Sequence, residues 1–197
     1  MPWHKDYTRP QLLKFFLPSR DSHAAAYYDW GSELETEWKE NYKLWMTFIN
    51  EYKNRGGRVT AGSDSGYMYN LYGFGFVQEL ELLREAGFHP MEVIRAGTLH
   101  AAEAIGMEDK IGTVEVGKLA DLILMDENPL KNLKYLYATG DIKLDEENDV
   151  VRVGGVEKTI KDGIVYDARL LLEDVKKIVD EEKSKTPDWK SLLLSLI

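Results

Sequence analysis

The one local cluster whose residue types and spacing suit chemistry is Gly62-Ser63-Asp64-Ser65-Gly66. A carboxylate set between two hydroxyls and two glycines lets a ligand come close to the backbone. It follows Gly57-Arg58-Val59-Thr60-Ala61-Gly62, a short β-capable run after a double glycine. A carboxylate at the C-terminal end of a parallel strand stands where α/β barrels carry their chemistry. The plainer reading of the same five residues is an ordinary Asx-turn. Tyr67 and Met68 follow at once, and are candidates for contacting a substrate or, equally, for packing against neighbouring loops.

Several other chemistries lack their residues. The pentapeptide has Asp rather than Ser at its centre, so it is no nucleophile elbow. Gly73-x-Gly75 lacks both a preceding strand and a third glycine, so it does not cradle a phosphate. The histidines His4, His23, His89 and His100 have no chelating spacing among them. With no cysteine, disulfides and thiolate metal sites are excluded. Lys+Arg 25 against Asp+Glu 34 gives a net charge of −9, which argues against a nucleic-acid partner. No run approaches the ~20 apolar residues of a bilayer span, and the start has no apolar leader core. A cytoplasmic chain is expected, with no membrane contact.

The elements that must hold Asp64 read as follows. Residues 1–31, with Pro2, Pro10 and Pro18, form a long structured loop with a helical turn or two at 11–17. Ser32 and Glu35 form a capping box, and Gly56-Gly57 closes the helix. Along it Trp38, Tyr42, Trp45, Ile49 and Tyr52 make one stripe, expected to pack on a sheet. Helices follow at 74–85, 90–96 and 99–105, ended by Gly87 and Gly106 and opened by Pro90 and Thr98.

Beyond Gly106 the pattern turns to β. Residues 120–125 read as a buried strand, and 133–138 and 150–153 as further strands. Asp162-Gly163 marks a hairpin turn within 159–166, and the acidic stretch 141–149 a solvated loop. An amphipathic helix at 168–183 aligns Leu171, Val175 and Ile178. The apolar tail from Trp189 is expected to dock on this chain or on a partner.

The run Glu79-Leu80-Glu81-Leu82-Leu83-Arg84-Glu85-Ala86-Gly87, with Pro90, Thr98, Ala101-Ala102 and Gly106, is similar to the metal-dependent amidohydrolase superfamily. So are Asp109-Lys110-Ile111-Gly112-Thr113 and Glu115-Val116-Gly117-Lys118-Leu119-Ala120-Asp121-Leu122-Ile123-Leu124-Met125-Asp126, and then Asn128-Pro129-Leu130. Lys161-Asp162-Gly163-Ile164-Val165-Tyr166-Asp167 resembles the closing hairpin of those proteins. The likeness is to the imidazolonepropionase-like and prolidase-like branch, strong over 57–167 and loose before it.

The resemblance implies an α/β fold: the C-terminal part of a (β/α)8 TIM-type barrel plus the C-terminal share of a small β-sandwich domain. Residues 1–111 would hold the last barrel units, with 58–62 as the eighth strand. Residues 112–167 would be the sandwich segment, and 168–197 a terminal helix and tail. Asp64 maps onto the family's catalytic aspartate, which contacts a divalent metal, zinc by family habit, and takes the proton of the metal-bound water. The expected reaction is hydrolysis of C–N bonds in small amides.

The family's His-x-His, bridging lysine and two later histidines have no counterpart. Only 63 residues precede Asp64, room for about two strand–helix units at ~30 residues each. The remaining ligands are therefore expected outside this chain, with an N-terminal barrel chain or a homo-oligomer as partner. A truncated frame, a proteolysed piece and half of a split enzyme all fit. A non-catalytic assembly module derived from an amidohydrolase is the alternative. A partial barrel exposes strand edges, so the chain made alone is expected to be insoluble, oligomeric or partner-bound.

Overall fold

Prolines open two of the helices and a glycine follows the end of four, so the chain breaks into short, well-marked elements. A computed structural model describes residues 3–17, 19–21, 24–67 and 70–194. The helices are α1 (His4–Tyr7), α2 (Pro10–Phe16), α3 (Ser32–Asn54), α4 (Gly75–Glu85), α5 (Pro90–Ala96) and α6 (Leu99–Ala104). The strands are β1 (Leu122–Met125), β2 (Asp141–Leu144), β3 (Val150–Val153), β4 (Val156–Lys161) and β5 (Ile164–Asp167), after which come α7 (Ala168–Ser184) and α8 (Trp189–Leu194). Among the described residues no helix is long and apolar enough to cross a membrane.

Strands β1, β4 and β5 form an antiparallel sheet in that order, and β2 pairs with β3 in a separate hairpin. The β4–β5 turn is the expected one. Asp162 and Gly163 both take positive φ, 51° and 76°, as a tight turn matched to strand twist requires. Asp121 braces it, accepting from the Asp162 N–H at 3.0 Å and pairing with the Lys161 ammonium. At the far end Asp167 caps α7, accepting from the N–H groups of Arg169 and Leu170 at 3.1 Å.

The main core joins α4, α5 and a short 3-10 helix, Leu133–Leu136. Leu80, Leu83, Phe88, Val93, Ala96 and Leu133 are buried there, with Met46 and Ile49 of α3 laid against them. A second cluster gathers Leu71, Phe74, Val77 and Tyr137, with Trp3 stacked on Phe74 at 5.1 Å between ring centroids.

The structure corrects several expectations. Residues 58–62 form no strand among the described residues, because no second strand lies beside them to complete a ladder. Residues 133–138 are not a strand; the Asn132 side chain accepts from the Lys134 N–H at 3.0 Å, and this local bond starts a 3-10 turn instead. The acidic stretch is not all loop: 141–144 pair with β3, and only 145–149 turn. There Asp145 accepts from the Glu147 and Asp149 N–H groups at 3.0 and 2.8 Å.

Ser32 is the first helical residue of α3 rather than its cap, and Gly31 takes the capping position. The aromatic stripe of α3 does not lie on a sheet: Trp38, Trp45 and Tyr52 are exposed, and no residue of α3 is fully buried. In α7 the aligned Leu171, Val175 and Ile178 face out, while Ala168, Val179 and Lys183 face in. The tail does dock on this chain at its start, where the Lys183 ammonium lies 4.8 Å from the centre of the Trp189 ring.

Candidate functional site

Asp64 is set by the segment before it. The Gly57 N–H donates to the Tyr52 carbonyl at 2.9 Å, ending α3 and turning the chain into residues 57–63. These are extended in pattern: exposure alternates residue by residue, with Val59 and Ala61 turned to the core and Arg58, Thr60 and Gly62 outward. The segment lies along α5 and α6. The Ala61 N–H donates to the Ala96 carbonyl at 3.2 Å, and Nδ1 of His100 meets the Val59 carbonyl at 3.2 Å. The Arg58 guanidinium pairs with Glu103 at 3.0 Å.

At the end of this rail Asp64 is exposed and takes φ +45°, a left-handed conformation that Asp tolerates better than most side chains. Its carbonyl accepts from the Tyr67 N–H at 3.3 Å. The carboxylate makes no ion pair with a described residue. It is neither buried nor held away from solvent.

The loop around it is pinned. The Gly66 N–H donates to the Asn70 carbonyl at 2.7 Å, the Asn70 N–H to the Tyr67 carbonyl at 2.9 Å, and the Asn70 amide reaches back to the Ser63 carbonyl. The hydroxyls of Ser63 and Ser65, on either side of Asp64, meet at 2.7 Å. Asn70 fits because Gly75 has no side chain: a Cβ there would fall 1.6 Å from Asn70 Oδ1 and 2.8 Å from Ser65 Oγ. Asn70 Oδ1 is buried without a hydrogen-bond partner among the described residues.

Asn70, Gly75 and His100 are thus the positioning residues that sequence reasoning missed. His100 was legible only as a residue of a short Ala-rich helix, and nothing in the local sequence marks Asn70. Tyr67, expected at a substrate, is half-exposed on the same loop. Met68 lies outside the described residues.

One carboxylate does not hold a divalent cation that needs three or more protein ligands. Among the described residues no three of His, Asp and Glu come together as a metal site. His23 and the ring of His4 lie outside those residues. The residues described here do not, by themselves, fit the cation that the resemblance implies.

A cavity of about 640 Å³ lies elsewhere, between α1, α4 and the β2–β3 hairpin, with Tyr7, Glu81, Tyr137 and Arg152 in its walls. Asp64 does not line it.

Comparison with known proteins bears on what this carboxylate serves. The family described as "Amidohydrolase family" matches residues 45–165. An imidazolonepropionase of Shouchella clausii is 36% identical over 105 residues, 51% of this chain and 21% of that protein. A 5'-deoxyadenosine deaminase of Methanobrevibacter smithii is 34% identical over 110 residues, 54% of this chain and 23% of that protein. The chain therefore spans between a fifth and a quarter of the length of these curated relatives. The crystal structure of an uncharacterized protein, 22% identical, superposes with a TM-score of 0.52 over 79% of this chain and 34% of that one, a likeness of fold.

Proposed function

Because the chain belongs to the amidohydrolase family, we propose that it contributes a single carboxylate, Asp64, to a hydrolase of C–N bonds in small molecules. The observation that carries this reading is the exposed carboxylate of Asp64, presented at positive φ on a loop fixed by Asn70 and Gly66. Its chemistry is proton transfer. An Oδ of Asp64 takes a proton from water as the water oxygen bonds to the substrate carbon, then returns it to the nitrogen as the C–N bond breaks.

On this reading residues 58–62 become the last strand of an α/β barrel once neighbouring strands pair with them, and their alternating burial supports that role. Residues 112–167 are the chain's share of a sandwich. Tyr67 of the same loop contacts the substrate, and Met68 is assigned that role from its place in the sequence alone. The remaining ligands of a divalent cation come from residues beyond those described or from a second polypeptide. The substrates are small amides, such as N-acyl amino acids, proline- or arginine-ending dipeptides, or cyclic imides.

The test is to capture the chain from its own cells, native or with Asp64→Asn, and to assay release of new carboxylic acid groups, one per C–N bond broken, from those three substrate classes. Removing a general acid–base group costs about 10²–10⁴-fold in rate, so the Asn variant should lose at least about 10²-fold. Equal release by both forms refutes the role of Asp64. No release by the native capture refutes the hydrolase.

A second reading, a non-catalytic assembly module, is favoured by one observation: the aromatic face of α3 turned to solvent.

A further inference from the structure

Three aromatic rings, Trp3, Tyr7 and Tyr137, line the cavity between α1, α4 and the β2–β3 hairpin. Trp3 and Tyr137 lie 5.2 Å apart between centroids, and both pack on Phe74, as does Tyr7 at 5.3 Å. Ile142 and Leu172 add aliphatic surface. At about 640 Å³ the space is of a size that small ligands fill, ~300–1,000 Å³. Its walls are drawn from positions 3 to 176, so it exists only once the chain has folded.

The charges in these walls fall into two sets. Asp6 and Lys176 pair at 3.7 Å, and Lys176 also pairs with Asp180 at 2.9 Å. The other four, Glu81, Asp141, Lys134 and Arg152, form no ion pair with a described residue. Glu81 accepts from the Tyr137 hydroxyl, and Asp141 from the Asn132 amide at 2.6 Å, both neutral donors. Arg152 gives one N–H to the Thr139 carbonyl at 3.1 Å, and the Lys134 ammonium has no acceptor among the described residues. A carboxylate accepts several hydrogen bonds, a guanidinium has five N–H donors and an ammonium three, so all four groups keep capacity for a ligand.

We propose that this cavity binds a free amino acid with a large apolar side chain, of the phenylalanine kind. Lys134 and Arg152 supply the cations for its α-carboxylate, Glu81 and Asp141 the acids for its α-ammonium, and the rings pack against its side chain. The signs of the four groups select this class. A simple anion would add a further negative charge beside Glu81 and Asp141, and a simple cation a further positive one beside Lys134 and Arg152. A zwitterion on an apolar body answers both pairs and the rings together.

The site goes beyond the hydrolase reading and is independent of it. Asp64 does not line the cavity, and a free amino acid has no amide bond to break, so its binding is read without turnover.

Equilibrium dialysis of the full chain, captured from its own cells, against tritiated L-phenylalanine is the test. Saturable binding of one molecule per chain is expected. 3-Phenylpropanoate lacks the ammonium and 2-phenylethylamine lacks the carboxylate, and each should compete at least about tenfold less well, as the loss of a charge-assisted hydrogen bond predicts. Arg152→Gln should weaken phenylalanine about tenfold and leave 2-phenylethylamine unchanged. Glu81→Gln, whose amide oxygen still accepts from Tyr137, should weaken phenylalanine as much and leave 3-phenylpropanoate unchanged. Lys134→Gln, at an exposed position, repeats the Arg152 test, and the two analogues on the native chain remain decisive whichever variant fails to fold. Asp64→Asn should bind as the native chain does. No saturable binding, an analogue that competes as well as phenylalanine, native affinity in Glu81→Gln or in both cation variants, or binding lost in Asp64→Asn would each overturn the proposal.

Discussion

The hydroxyl of Tyr137 donates to the carboxylate of Glu81 at 2.5 Å, across 56 positions of sequence. The bond fastens the end of the 3-10 helix to the middle of α4, and the Tyr137 ring fills the second core cluster beside Phe74. Burial pushes the Tyr137 phenol well above its ordinary value, and the carboxylate beside it adds to the shift.

Alkaline pH should therefore loosen the fold. Tyr42 is pushed up in the same direction, to about 12, by burial and by Glu85. Both phenols hold their protons more tightly folded than unfolded, so their contribution is complete below the ordinary value of 10.0. It falls as pH rises from there, for Tyr42 as pH approaches about 12. Urea midpoints taken between pH 8 and 12 should decline steeply for the native chain. They should decline less for Tyr137→Phe, whose ring stays packed but cannot ionise.

Acid acts through a different joint. Glu92 accepts from the Lys53 ammonium and from the His89 N–H, both at 2.8 Å, and so ties the end of α3 to the start of α5. The Lys53 bond, then the His89 bond, hold the Glu92 carboxyl below its ordinary value of 4.5. Its contribution is complete above 4.5 and is lost as pH drops through the lower native value. Lys53→Met keeps the stem but removes the charge, which lies 5.0 Å from the centre of the Phe88 ring. The half-exposed Glu92 moderates the loss, to about 1–2 kcal/mol, measurable by urea titration at pH 7.

Gly75→Ala offers a test of the Asp64 loop. In most helices this exchange stabilises by about 1 kcal/mol. Here the new methyl meets Asn70 Oδ1, so the amide must leave its seat. The expected result is a net loss of about 1–3 kcal/mol, with faster hydrogen exchange at Gly66 and Asn70. Unchanged exchange at those two amides would show that Asn70 does not pin the loop.

The backbone at Asp64 distinguishes conformation from chemistry. Asn accepts positive φ nearly as well as Asp, so Asp64→Asn should leave the melting temperature unchanged. A β-branched Val at φ +45° should cost about 1–2 kcal/mol. Calorimetry of both variants checks this, and it licenses the Asn form as a probe of proton transfer alone.

What the sequence made legible was local. Asp162-Gly163 announced its hairpin because few residues other than these accept the angles of that turn. Pro90 announced α5 because its ring suits a helix's first turn. Strand β2 hid in plain view: Ile142 and Leu144 alternate with Asp141 and Lys143, but the acids that follow masked the period of two. Residues 133–138 misled in the opposite direction, since an apolar run has no say against an asparagine that satisfies the backbone first.

The site divided along the same line. Asp64 stood out by its neighbours, whereas Asn70 acts through a bond to Ser63 and a gap over Gly75 that exist only once the chain has closed. The stripe on α3 was visible, but its period could not say that a sheet is not what it meets.

The pairing of β1 has a consequence for synthesis. Its partner, β4, begins at Val156, about 30 positions after β1 ends at Met125. At roughly 5–20 residues per second, a nascent chain carries β1 for about 2–6 seconds before the strand that pairs with it leaves the ribosome. During that interval Ile123 and Leu124 sit on an unpaired edge, open to chaperones or to the same segment of a neighbouring polysome chain.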